Sequence, residues 1–119
     1  MKHVKPPIMP ESEIHERVIE HLRTYAKPGV WFWHTANGGK RSVQWAAKLK
    51  RMGVLPGVPD ILLYYRREFF GLELKAANGR PTEAQLAFLA GITKQGAHGC
   101  VCYSIDSAIA VLKTWGILL

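Results

Sequence analysis

A chain of 119 residues with 48% apolar and 10% aromatic content fits one domain with a buried core. Sixteen Lys and Arg against nine Asp and Glu leave a net charge of +7, which favours a polyanionic partner, nucleic acid first. No apolar run reaches the ~20 residues needed to cross a bilayer, and nothing at the start reads as a secretion signal or an anchor.

Residues 1–11, with Pro6, Pro7 and Pro10, read as an extended tail, and 12–119 as one standalone domain. Cys100 and Cys102, two apart on one strand, are badly placed for a mutual disulfide. They read as buried thiols in a reducing, cytoplasmic setting.

From Ser12, the expected N-cap, Ile14, Val18, Leu22 and Tyr25 recur at helical spacing while Glu13, Glu16 and Glu20 occupy another face. Pro28-Gly29 ends that helix. Val30 to Thr35 is aromatic and β-branched, hence a strand, and it leads into the loop Asn37-Gly38-Gly39-Lys40-Arg41. A second helix follows from Ser42, with Trp45, Leu49 and Met52 as its packing face, Lys48 and Arg51 beside them, and Gly53 as its stop.

Val58 to Tyr65 and Phe69 to Ala76, joined by Arg66-Arg67-Glu68, form an antiparallel hairpin in the sheet centre. Thr82-Glu83-Ala84-Gln85 is a capping box opening a helix whose stripe holds Leu86, Phe88, Leu89, Ile92 and Thr93, ended by Gly96. A strand over Gly99 to Ser104 and a helix from about Asp106 to Trp115 complete the order α-β-α-β-β-α-β-α.

The hairpin carries the chemistry. Side chains alternate along a strand, so Glu73 and Lys75 share a face, and a turn around Arg67 sets Asp60 opposite Glu73 or Leu74. Two carboxylates with a backbone carbonyl, that of Leu74, suit a hard divalent ion, Mg²⁺ or Mn²⁺. Such an ion acidifies water for attack on phosphorus. Lys75 beside it stabilises the developing negative charge, and Pro59 stiffens the approach to Asp60.

Gly57-Val58-Pro59-Asp60, then Glu73-Leu74-Lys75, then Gln85, behind an acidic first helix, resembles the PD-(D/E)xK nuclease superfamily and within it the VRR-NUC (virus-type replication-repair nuclease) family. The likeness runs from about Ser12 to Ile109. It implies a restriction-endonuclease-like α/β core, a mixed four-stranded sheet flanked by helices, and a metal-dependent DNA endonuclease. In that pattern Asp60 and Glu73 bind metal, Lys75 is catalytic, Gln85 supports the site, and a first-helix Glu, matched here to Glu13 rather than Glu16, stands near the metal. The resemblance further implies a homodimer that resolves Holliday junctions.

Each assignment has a plainer rival. An arbitrary Glu-x-Lys is usually a surface ion pair, but one flanked by Phe70, Leu72 and Leu74 with Asp60 on the partner strand is not arbitrary. Gln85 is explained by its capping box alone, and Glu13 by the favourable field of a helix N-terminus. Gly38-Gly39 permits close approach of backbone to phosphate, and with Asn37, Lys40, Arg41, Lys48 and Arg51 it forms the expected DNA contact. His98, Cys100 and Cys102 share a strand face but do not complete a zinc site. His34 is a candidate for base stacking, while His15 and His21 need no role. Alternatives to a junction-resolving enzyme are a flap, nick or general nuclease, and a non-catalytic DNA-binding module.

Overall fold

In the computed structural model, which describes residues 7–36 and 42–119, eight elements follow the expected order. They are α1 Glu11–Tyr25, β1 Trp31–Trp33, α2 Val43–Arg51, β2 Ile61–Tyr65, β3 Glu68–Leu74, α3 Glu83–Lys94, β4 His98–Cys102 and α4 Ile105–Thr114. The expected DNA-contact residues Asn37, Gly38, Gly39, Lys40 and Arg41 lie outside the described residues.

The four strands form one mixed sheet in the order β1-β2-β3-β4. β1 pairs antiparallel with β2 and β2 with β3, while β4 runs parallel to β3, a connection that needs the α3 crossover. The central hairpin closes through a two-residue turn rather than the three-residue one expected. Tyr65 pairs with Glu68, and Arg66 and Arg67 both adopt positive φ, 50° and 66°. A tight primed turn requires left-handed backbone at both positions because its twist matches that of the strands.

Strand alternation then sorts the side chains into two faces. Ile61, Leu63, Phe70, Leu72, Leu74 and Cys102 join Ile14, Val18 and Leu22 of α1 and Ala108 and Leu112 of α4 in the main core. The opposite face is covered by α3. There a Cβ built on Gly99 would meet Leu89, and one on Gly71 would meet Pro59 and Ile92. Glu73, alternating with Leu72 and Leu74, belongs to this second face.

Several local expectations are corrected by burial. α1 starts two residues early: Pro10 rather than Ser12 is its N-cap, since fixed φ and a missing N–H suit a helix entry, so Ser12 lies inside the first turn. Tyr25 is exposed, because the helix ends there and the chain turns away at Ala26. In α2 the expected packing face does not pack: Trp45 and Met52 are 47% and 67% exposed, and no α2 residue is buried. In α3 Leu86 is exposed and Leu89 alone is buried. Gly53 follows the Met52 cap of α2 at φ 93°, the left-handed C-terminal stop expected of it. Among the described residues no helix is long and apolar enough to cross a membrane.

Candidate active site

The register fixes the centre of the site. Ile61 pairs with Leu72, so Asp60, one residue before β2, falls opposite Glu73. The Leu74 N–H donates to Asp60 Oδ2 at 2.9 Å. This bond anchors the carboxylate at the strand entry, where the buried Pro59 and the Gly57 turn deliver it.

Glu73 is 1% exposed, the one buried charged residue among those described. Its Oε1 accepts a hydrogen bond from Gln85 Nε2 at 3.2 Å and lies 3.9 Å from Lys75 Nζ, while its buried Oε2 has no partner. A carboxylate withdrawn from water pays heavily for its charge. Burial first, and Asp60 second, push its pKa up to about 8.

Gln85 serves two ends. Its Oε1 accepts from the Thr82 N–H at 2.8 Å and its own N–H donates to Thr82 Oγ1 at 3.1 Å, completing the capping box that starts α3. Its remaining amide nitrogen is the group that holds Glu73. The structural and functional explanations of this residue therefore coexist.

From the first helix the structure brings Glu11, rather than Glu13, to Asp60 and Glu73. Glu11, Asp60 and Glu73 each offer a carboxylate oxygen within 4.8 Å of the others, and Lys75 Nζ lies 4.0 Å from Glu11 Oε2. Burial is the main cause that raises the Glu11 pKa, with Asp60 adding to it and Lys75 opposing. Glu13 instead pairs with Arg17 at 3.5 Å and does not join this group. Helical geometry explains the difference. Glu11 precedes Ile14 and Val18 by three and seven residues, which places it on the same helix face as those core residues, although its own side chain is partly exposed. Glu13 lies about 100° around from Ile14. The spacing from Ile14 carries this signal, but Glu11 falls in the Pro-rich stretch that reads as a tail.

A second group was missed. His15, His34 and Asp60 also offer ligand atoms within 4.8 Å of one another. The two imidazoles meet edge to face with centroids 4.4 Å apart, and His34 Nδ1 lies 2.6 Å from the Asp60 carbonyl oxygen. Burial, then His34, lowers the His15 pKa, which disfavours the charged form of that ring. His34, Thr35, Gly57, Asp60 and Gln85 line an open cleft of about 360 Å³, a route by which a phosphate could reach the carboxylates.

Lys48 and Arg51 stand exposed on α2, with Lys48 Nζ 5.9 Å from the centre of the Trp45 ring. Cys100 and Cys102 are free thiols with sulfurs 3.8 Å apart, and burial pushes the Cys102 pKa up to about 12, which makes it inert. His98 stacks on Phe70 and bonds Glu68 instead of completing a metal site with them.

Three acids, one of them the buried, half-satisfied Glu73, form an oxygen-rich donor set, and one lysine balances only part of its charge. A hard divalent cation fits it: it would supply the missing partner of Glu73 Oε2 and relieve the repulsion between Asp60 and Glu73.

Comparison with known proteins agrees with this architecture. A solved structure titled "VRR_NUC domain protein" superimposes with a TM-score of 0.77 at 26% identity, covering 94% of this chain and 90% of that one. Another, titled "VRR_NUC domain", has a TM-score of 0.59 at 19% identity over 88% of this chain and 96% of its own, and shares the fold. No family model and no curated protein matches the sequence. Fold and motif together define an α/β domain of nuclease type. Within that class the chain takes the fold of VRR_NUC domain proteins, the family that its Pro59-Asp60 and Glu73-Leu74-Lys75 motifs resemble.

Proposed function

We propose that this chain is a divalent-metal-dependent DNA endonuclease that hydrolyses phosphodiester bonds, acts on branched DNA in the manner of a Holliday-junction resolvase, and works as a homodimer. The observation that carries the hydrolytic reading is the convergence of Glu11, Asp60 and Glu73 on one point, with Lys75 beside them, in a VRR_NUC fold.

Asp60, Glu73 and Glu11, with the Leu74 carbonyl, are the residues that would hold Mg²⁺ or Mn²⁺. When bound, such an ion neutralises charge on the scissile phosphate and lowers the pKa of a nearby water. The protein's own contribution is positioning. The Leu74 amide fixes Asp60, Gln85 fixes Glu73 from the helix opposite, and the hairpin keeps both in register. Lys75, held between Glu11 and Glu73, is placed to stabilise the negative charge that gathers on the phosphate as the water oxygen bonds to phosphorus. The P–O bond opposite breaks, the departing oxygen takes a proton from solvent, and the attacking water gives one up.

Net charge of +7 supports a nucleic-acid substrate, and Lys48 and Arg51 are candidates for binding phosphate. Asn37, Gly38, Gly39, Lys40 and Arg41 remain candidates on sequence grounds. Two sites related by a two-fold axis suit a substrate needing two symmetric cuts.

The test is cleavage of labelled linear, flapped and four-way-junction DNA with Mg²⁺, with Mn²⁺ and with chelator. Paired metal-dependent cuts in the junction are expected. Equal cutting of all three substrates would reduce the proposal to a general nuclease, and binding without cutting under either metal would leave a non-catalytic DNA-binding module.

A further inference from the structure

We infer that this protein carries a second metal site, in which His15, His34 and Asp60 take a first-row transition ion next to the carboxylate site, with Asp60 shared between the two. The inference rests on the proposed function only in treating Asp60 as a metal ligand. The imidazole pair is independent of it.

The argument begins with α1. Glu11 and His15 are one helical turn apart and therefore neighbours on its surface. One joins Asp60 and Glu73, the other joins Asp60 and His34. Asp60 is thus flanked by an oxygen-only group on one side and a group with two imidazoles on the other. A carboxylate has two oxygens and can serve both.

The distances suit coordination. Three donors bound to one ion at about 2.0–2.2 Å lie at most about 3.8 Å from one another. His15, His34 and Asp60 lie within 4.8 Å, so side-chain movement of up to about 1 Å closes the set.

The surroundings of His34 point the same way. Its Nδ1, 2.6 Å from the Asp60 carbonyl oxygen, is placed to donate, since a carbonyl can only accept. That bond fixes the ring and leaves the Nε2 lone pair free, the arrangement by which a backbone carbonyl orients a metal-binding histidine. Two imidazoles in edge contact are, as paired nitrogen donors, selective for borderline ions such as Co²⁺, Ni²⁺ or Zn²⁺ over Mg²⁺.

The experiment is a Co²⁺ titration of the metal-free full chain near neutral pH. Bound metal is counted by equilibrium dialysis, and nitrogen ligation is read from the visible absorption of Co²⁺. Wild type should bind two ions. His15→Gln and His34→Gln should each weaken one of them at least tenfold and lose its nitrogen-shifted band, while Glu73→Gln keeps that band and loses the other ion. Circular dichroism and melting of each metal-free variant establish that it is folded. His34 is exposed, so its variant tests the site even if His15→Gln does not fold. Cobalt bound with unchanged number and spectrum by folded histidine variants overturns the proposal. The carboxylate reading fails by a separate route, if Mg²⁺-supported cleavage survives in Glu73→Gln.

Discussion

Gly57 connects the loop that delivers Asp60 to the helix that presents Gln85, and replacing it with alanine tests that connection. Gly57 sits at φ 83°, and a Cβ there would lie 2.4 Å from both the carbonyl carbon and the oxygen of Ala84 and 2.7 Å from the Gln85 nitrogen. These are backbone atoms of the first turn of α3, so no side-chain rotation relieves them. An ordinary contact needs roughly 1 Å more. The left-handed conformation alone costs alanine about 1–2 kcal/mol, and forced overpacking adds about 1–3 kcal/mol, so Gly57→Ala should cost about 2–5 kcal/mol. Gly53 supplies the control. It has φ 93° with no atom within 4 Å of its Cβ position, so Gly53→Ala should cost only the conformational part. Urea denaturation of both variants separates the contributions, and in melting each kcal/mol corresponds to roughly 4 °C for a domain of this size. Because relief of the clash moves α3 away from the hairpin, Gly57→Ala should also lower cleavage by loosening Gln85 from Glu73. Equal destabilisation by the two alanines would refute the claim that this close approach seats α3.

Three further outcomes follow from the same geometry. Glu73 has its pKa raised from 4.5 to about 8, so between those values the metal-free folded protein holds a proton that the unfolded chain has released. Stability must then fall as pH rises through that window, by up to about 1.4 kcal/mol per pH unit. Urea melts at several pH values in chelator should show this fall and saturating Mg²⁺ should remove it; a flat or rising profile in chelator would contradict the buried acid. Thr82→Ala and Gln85→Ala should each cost about 1 kcal/mol through the capping box, but only Gln85→Ala should slow cleavage severalfold, since it alone releases Glu73; equal rates would confine Gln85 to capping. Lys48→Ala combined with Arg51→Ala should weaken DNA binding and flatten the salt dependence by about 0.9 for each phosphate no longer neutralised, and an unaltered slope would remove α2 from the interface.

What could be read in the sequence was what periodicity and turn chemistry encode locally. The alternation of Leu72, Glu73 and Leu74 and a turn around Arg67 brought Asp60 opposite Glu73 or Leu74 without deciding between them, because a hairpin's register follows from its turn and the expected three-residue turn is in fact one of two residues, Tyr65 pairing with Glu68. Thr82 and Gln85 announced their box through spacing alone. Packing was less legible. Trp45 and Met52 have the spacing of a buried face, yet spacing cannot say whether another element lies against it, and α2 leaves both exposed. Glu11 is hard to read because the helix begins two residues before the Ser12 cap that its spacing suggests, at Pro10. The meeting of His15 and His34 depends on α1 crossing near the end of β1, a tertiary fact with no local signature.

The most direct test of the central claim compares wild type with Glu73→Gln in single-turnover cleavage of a labelled junction under saturating Mg²⁺, with DNA affinity measured in parallel. Glutamine keeps the size and the hydrogen-bonding oxygen but removes the charge that would hold the cation. Cleavage should fall by at least a hundredfold while affinity changes little. Undiminished cutting by Glu73→Gln would contradict the assignment of this buried carboxylate as the centre of the active site.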